Sequence, residues 1–512
     1  MSSPADDAPK SLMQRFLDVV EQVGNKVPHP AVIFLMLIGI VIVVSHTLFL
    51  LGTSVTYQVI DPVTHEPEEL TATARSLLTV DGIRFIYSSL IPNFMGFNAV
   101  GLMIVAMVGV GVAEEAGLVN TLIRKLVIVS PRGALTYILV FVGILSSIAA
   151  DAGYLVLIPL AGTAFLSVGR HPLAGLAAGF AAVAGAFTVN MLIKPLDAIL
   201  TEFTNDAIHL VNPAISIDLT SNLWFSIASV PFLTILIAVI TERIIEPRLG
   251  EFQGERPEEE GGDITTEESR GLVYASLALV AVLGLFAALA LPEGGPLRDA
   301  KTGALIGNSP FMNGLIAVVM VVFLVTGVAY GIGAKTIKNV NDVINAMVKA
   351  IASLGGLILL LLIISQFIAY FNYSNMATIL AVNLANALKE ANIGSFWLLI
   401  GFIFVVAFLD LLISAAIAKW AILAPIFVPL FIQLGVDPEA VLAAYRIGDS
   451  PINAITPLNT YFVLVVGFAQ KYDKNAGVGT VVALMLPYVA GILVLWTVLF
   501  AGWYLAGIPW GL

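Results

Sequence analysis

The sequence predicts an all-α polytopic membrane protein of about nine transmembrane helices plus two opposed re-entrant hairpins, laid out as an inverted repeat. Three observations carry that prediction. The chain of 512 residues is 59% hydrophobic and only 12% charged, with a mean hydropathy of +0.96; a water-soluble domain carries about 25% charged residues to cover its surface. Apolar runs as long as a bilayer is thick recur along it. Part of the first half returns in the second.

The first segment, 1–30, is polar and reads as cytoplasmic, because a cleavable signal peptide would bring its apolar region earlier. A spanning helix needs roughly 20 mostly apolar residues. Such runs lie near 31–51, 95–118, 172–193, 223–243, 271–291, 310–332, 350–371, 440–466 and 480–505. Two further apolar regions, 134–168 and 394–434, are interrupted by SSIAADAG at 146–153 and by DLLISAAIAKW at 410–420. Each reads as two short arms around a polar tip, a hairpin whose non-helical backbone is tolerated only inside protein or along a water-filled cavity. The alternative is two ordinary spans with a polar kink. The acidic stretch 251–270 reads as a solvated linker between a first repeat, 31–250, and a second, 271–512.

With the N-terminus inside, sixteen Lys and Arg residues fall on cytoplasmic segments and six outside, which is the expected positive-inside bias. Lys419 and Arg446 remain at membrane depth. A shift of 266 residues lays 152–178 on 418–444 with ten identities in 27, among them Pro159/Pro425, Gly169/Gly435 and Pro172/Pro438. After a slip of four residues, Pro195-Leu196-Asp197 finds Pro457-Leu458-Asn459. The first hairpin opens to the cytoplasm at Arg170; five spans separate it from the second, which therefore opens outside. Opposed copies of one motif are the architecture of secondary transporters with binding sites near the midplane.

Several function classes fall away. The chain contains no cysteine, so disulfide and thiolate chemistry are excluded. His29, His46, His65, His171 and His209 have no metal-ligand spacing, and a net charge of −11 argues against nucleic acid. No HExxH set or arranged nucleophile and base suggests an enzyme. The absence of a GxxxxGK[ST] motif makes an ion gradient, rather than ATP, the expected driving force.

Ionisable groups inside a membrane helix are functional candidates by default, and they gather behind each hairpin. Behind the first lie Asn190, Lys194 and Asp197; behind the second lie Arg446, Asp449, Asn453 and Asn459. Pro451 and Pro457 should break the eighth span, since proline removes a helix hydrogen bond and clashes with the preceding turn. The freed carbonyls and the oxygens of Asn190, Asp197, Asp449, Asn453 and Asn459 are the expected holders of a sodium ion or a proton. Arg446 either pairs with Asp449 one turn on or clamps an anionic group of the substrate. Lys194 and Asp197 either join the site or lie at the outer interface, where charge is cheap. Near the second tip, Ser414, Lys419 and Trp420 share a neighbourhood; Trp420 either stacks on an aromatic substrate or anchors the hairpin. Asp151 at the first tip is a proton-sensitive group or a helix cap, and Asp410 a hairpin cap or interface residue.

These stretches resemble the AbgT family, the p-aminobenzoyl-glutamate transporters and related sulfonamide exporters. The resemblance is carried by VEQVGNKVPHP at 20–30, FTVNMLIKPLDAI at 187–199, LISAAIAKWAILAPIFVP at 412–429 and GVDPEAVLAAYRIGDSPINAITPLNTYF at 435–462. It implies a bacterial inner-membrane homodimer with a scaffold that holds the dimer and a core that carries substrate. Functional positions are implied at Asp197, Ser414, Trp420, Pro438, Arg446, Asp449 and Pro457. The expected cargo is a p-aminobenzoyl-glutamate or p-aminobenzoate-like folate-pathway compound, including sulfonamide antimetabolites, coupled to sodium or protons. A sodium-coupled dicarboxylate symporter of related hairpin architecture is the alternative; it would need no aromatic contact.

Overall fold

A computed structural model describes residues 28–60, 67–148, 153–253, 264–306, 309–391, 393–456 and 458–512. The predicted all-α polytopic membrane class is borne out. Among the described residues, eight helices are long and apolar enough to cross a membrane; a ninth is added if Leu118–Ile128 and Arg132–Ile148, bent by 115°, count as one span.

The chain opens with α1 (Pro30–Leu50), which starts on Pro30 with His29 accepting from the Ala31 amide. A two-stranded antiparallel ribbon follows, β1 (Ser54–Ile60) paired with β2 (Pro67–Thr73) in the register Ser54↔Thr73. Next come α2 (Val80–Met95) and α3 (Asn98–Glu115). The sequence prediction began this span at 95; Pro92 reads as punctuation there, yet it lies inside α2. Then α4 (Leu118–Ile128) turns into α5 (Leu135–Leu145), which ends in a single tight turn, Ser146–Ile148. The return arm begins with a widened turn, Gly153–Leu157, and continues as α6 (Ile158–Ser167). The tip between the arms, with Asp151, lies outside the described residues.

The run at 172–193, read from the sequence as a broken helix, is interrupted in the structure. α7 (Pro172–Gly185) stops at Gly185, irregular backbone follows, and α8 (Pro195–Ile208) restarts on a proline. The first half closes with α9 (Leu223–Ile240), which runs on through a widened turn to Leu249. The second half holds α10 (Thr266–Ala290), α11 (Leu315–Ala334), α12 (Val340–Ser353), α13 (Gly355–Tyr373) and α14 (Met376–Glu390). It continues with α15 (Ser395–Asp410), α16 (Ala416–Gln433), α17 (Pro438–Ile452), α18 (Phe462–Gln470) and α19 (Val478–Leu505). The stretch 440–466 is interrupted as well, since α17 ends at Ile452 and α18 begins at Phe462.

Burial separates the helices by role. On α10 the side chains of Leu277, Val280, Leu283 and Leu285 face outward and uncovered, as expected of a lipid-facing surface. Small residues draw α3, α10 and α11 together: a Cβ added at Gly327 would lie 2.7 Å from the Ala113 Cα, the close backbone approach typical of packed membrane helices. At the centre, all of α7 is buried, and so is α17 from Ala440 to Ile452.

The internal repeat has a geometric signature. Gly169 and Gly435 both adopt left-handed φ, +82° and +74°, the conformation a helix C-terminus uses when it closes on glycine. Around each, the same bond forms: the Arg170 amide donates to Phe165 O at 2.8 Å and the Val436 amide to Phe431 O at 2.9 Å. Pro172 and Pro438 then open the two buried helices as their first residues. Proline suits that position because its missing N–H has no helical partner there.

Candidate functional site

The site lies where the ends of α7 and α17 meet. Arg446, Asp449 and Ser450 follow one another along α17, each no more than 3% exposed. Arg446 reaches across to the first half. Its Nη1 donates to Thr188 O and to Asp197 Oδ1, both at 2.6 Å, and its Nε donates to Asn222 Oδ1 at 3.1 Å. The Thr188 amide donates to Ser450 Oγ at 3.1 Å, and Thr188 Oγ1 donates to Arg446 O at 3.0 Å. Backbone groups released where α7 ends are thus satisfied by side chains of the other half, as buried polar groups must be.

Asp197 has two duties. At the third position of α8 its Oδ2 accepts from the Lys194 amide at 2.9 Å, capping that helix, while Oδ1 receives Arg446. Asn190 ties the first hairpin to this break: Nδ2 donates to Leu145 O at 3.0 Å and Ser147 Oγ at 3.1 Å, and Oδ1 accepts from the Leu192 amide at 3.1 Å. Lys194 is 1% exposed and donates to Ser147 Oγ at 3.2 Å and to Phe187 O. Lys194 is therefore enclosed by protein and Asp197 largely so, and neither side chain snorkels out. Asn190, Asp197, Ser221, Asn222, Ser226 and Arg446 line one polar recess, an opening that bears a cation and an anion side by side.

Asp449 turns away from that recess. No ion pair joins it to Arg446, so of the two alternatives read for Arg446 the pairing with Asp449 is not formed. Its Oδ1 lies 2.8 Å from Lys419 Nζ, and Lys419 also bonds Asp410. Asp410 is consequently a fully buried member of an ionic cluster, not a cap or an interface residue. Trp420 is 0% exposed and its ring lies on Tyr445 at 4.4 Å; Nε1 donates to Leu200 O at 3.2 Å and Thr204 Oγ1 at 3.1 Å. Ser414 Oγ donates to Leu458 O at 3.1 Å.

The five oxygens expected to hold an ion divide between neighbourhoods. Asn190 and Asp197 border the recess. Asn453 donates to Asp449 O at 3.0 Å, Asn459 to Asn453 O at 2.9 Å, and Asn459 Oδ1 accepts from the Tyr461 amide. Pro457 falls outside the described residues. Ser147, Thr188, Asn222, Ser226 and Tyr445 enter the site without having been singled out. Asn222 carried one signal, its place just before a long apolar run, where asparagine ordinarily caps a helix. Here it caps nothing, which leaves its oxygen for Arg446.

A helical membrane protein with two buried helices that stop inside the core, and a charged recess bounded by α17, the first break and the start of α9, has the build of a solute transporter. The comparisons with known proteins agree. The profile of the AbgT putative transporter family matches residues 15–512, and the chain belongs to that family; it is a transporter and not an enzyme. It is 34% identical over 493 residues to the p-aminobenzoyl-glutamate transport protein of Escherichia coli (strain K12), covering 96% of this chain and 95% of that one. The crystal structure of the Alcanivorax borkumensis YdaH transporter superposes with a TM-score of 0.89 at 41% identity, over 95% of this chain and 100% of that one. MtrF of Neisseria gonorrhoeae, described with a class of antimetabolite efflux pumps, superposes with a TM-score of 0.90 at 38% identity, over 96% and 97%.

Proposed function

We propose that the protein is an ion-gradient-driven secondary transporter of p-aminobenzoyl-glutamate and p-aminobenzoate-like compounds, able to export sulfonamide antimetabolites. The observation that carries this reading is the Arg446–Asp197 pair, which joins α17 to the first helix break at a polar recess. A guanidinium presents a fork of N–H donors that suits a carboxylate or sulfonyl group. An anionic cargo would take the donors now given to Asp197, and the released Asp197 would change the α8 cap and the first break. Asn190 and Ser414 would orient the cargo and the hairpin ends. Trp420, packed on Tyr445, would meet an aromatic ring when the second hairpin moves. The transport activities for which the E. coli and N. gonorrhoeae relatives are named support this cargo class.

In this reading the protein sits in a bacterial inner membrane as a homodimer with its N-terminus in the cytoplasm. The repeats are 31–250 and 271–512, joined by the linker 251–270, and 134–168 and 394–434 are re-entrant gates of opposite orientation. The matching glycine caps and proline helix starts support the repeat. The coupling ion, a proton or sodium, would be served by Asn190, Asp197, Asp449, Asn453 and Asn459. The test is uptake of labelled p-aminobenzoyl-glutamate, p-aminobenzoate and a sulfonamide into proteoliposomes under separate sodium and proton gradients. Saturable accumulation that collapses with one gradient and is lost in Arg446→Gln is expected. Flux that is neither saturable nor gradient-dependent would refute it.

A further inference from the structure

We infer that Asp410, Lys419 and Asp449 form a buried site that binds one proton, and that this proton is the coupling ion of the transport just proposed, on which the inference rests. Three helices supply the groups: Asp410 closes α15, Lys419 lies in the first turn of α16, and Asp449 in the last turn of α17. None is more than 1% exposed, and Lys419 bridges both carboxylates.

Charge is the first reason. Two carboxylates and one ammonium sum to −1, and an uncompensated charge withdrawn from water is strongly unfavourable. Among the described residues, no cation other than Lys419 is in contact with either carboxylate. Arg446, from α17 itself, is committed to Asp197 at 2.6 Å. Lys194, in electrostatic reach of Asp449, is hydrogen-bonded to the neutral groups Ser147 and Phe187 O and touches neither carboxylate of the cluster. One added proton makes the cluster neutral.

Hydrogen bonding supplies two independent reasons. Asp410 Oδ2 and Asp449 Oδ2 are buried with no hydrogen-bond partner, whereas buried polar atoms are nearly always satisfied. Protonation lowers that demand by removing the charge. Tyr445 OH lies 2.5 Å from Ala416 O and 2.9 Å from Asp449 Oδ1. A phenol has one proton to give and a carbonyl can only accept. Both contacts are hydrogen bonds only when Asp449 supplies a proton. A sodium ion suits the place less well, since it would sit beside the Lys419 ammonium. When α16 moves relative to α17 and water enters, the Asp449 carboxyl passes its proton to that water and becomes a carboxylate paired with Lys419. Loading reverses the step.

The test is infrared difference spectroscopy of the full-length protein in lipid, titrated in pH, with proton release counted in parallel. The wild type should show one protonated-carboxyl C=O band per protomer, lost on alkaline titration with release of one proton. Asp410→Asn leaves a neutral Asp449–Lys419 pair and should show neither band nor proton. Lys419→Met removes the competing cation and should move the band's midpoint upward by about one pH unit or more. If Asp410→Asn fails to fold, the Lys419→Met midpoint decides alone, and an unchanged midpoint overturns the site. A band that persists in folded Asp410→Asn, or is absent from the wild type, also overturns it. Loss of the wild-type band when sodium replaces potassium at fixed pH would assign the site to sodium instead. Failure to transport aromatic acids while the band remains would refute the cargo reading and leave the proton site in place.

Discussion

Arg446 and Asp197 form a buried ion pair across the two halves, and removing one partner leaves the other stranded. For such pairs the loss is about 3–5 kcal/mol, and the structure ranks the two single variants. In Asp197→Asn, Arg446 keeps a side chain 3% exposed, with Asn222 Oδ1 and Thr188 O as its remaining acceptors. In Arg446→Met, Asp197 is 13% exposed, still receives the Lys194 amide and lies in electrostatic reach of the Lys194 ammonium. Asp197→Asn should therefore fall toward the upper end of the range and Arg446→Met toward the lower. The double variant should cost less than the sum of the singles, by a coupling of about 0.5–3 kcal/mol. Reversible unfolding in mixed micelles, followed by tryptophan fluorescence, measures all three. Single losses below about 1 kcal/mol, the scale of an exposed pair, would refute the assignment of a tight buried pair. So would additivity of the two substitutions.

Three further outcomes can be checked with the same preparations. Trp420→Phe forfeits the indole donor to Leu200 O and Thr204 Oγ1 and should cost about 0.5–1.5 kcal/mol; Trp420→Ala opens a cavity and should cost about 3–5 kcal/mol. In uptake assays Trp420→Ala should lose aromatic acids before aliphatic ones, and equal loss would count against a ring contact. Alanine at Gly169 or Gly435 must adopt φ of +82° or +74°, so each should lower stability by about 1–2 kcal/mol in thermal unfolding; a neutral result would dissolve the cap argument. Arg170 grips Glu246 with two bonds, 2.7 and 2.6 Å, and Thr136 with a third. Arg170→Gln should loosen the base of the first hairpin, seen as faster amide exchange in α5 and α6 and no change in α10.

Periodicity and punctuation made the scaffold legible in the sequence, because a bilayer imposes a length on apolar runs and glycine and proline mark helix ends. The elements that escaped, α4, α8, α12, α14 and the β-ribbon, are too short or too polar to carry that signal, and Pro92 concealed α2. The charged residues of the site were legible by their rarity alone. Their partners were not. Spacing along α17 places Arg446 and Asp449 one turn apart, yet each finds a stronger partner on another segment, Asp197 and Lys419. Asp410 looked peripheral because it ends a helix, and Thr188, Asn222 and Tyr445 are ordinary polar residues until the fold aims them inward.

The two buried helices share their caps and their register but not their chemistry. Counted from Pro172 and Pro438, Arg446 corresponds to Phe180, Asp449 to Val183 and Ser450 to Ala184, and α7 carries no charged side chain at all. The two helices share the glycine closure before them and the proline start, while the charges on the pair belong to one side. A carrier built this way cannot turn itself inside out into its own mirror image, because its guanidinium and acidic cluster travel with the same half in every state. The states open to the two faces of the membrane would then bind the same solute unequally, and the machine would have a preferred direction written into its core before any gradient is applied.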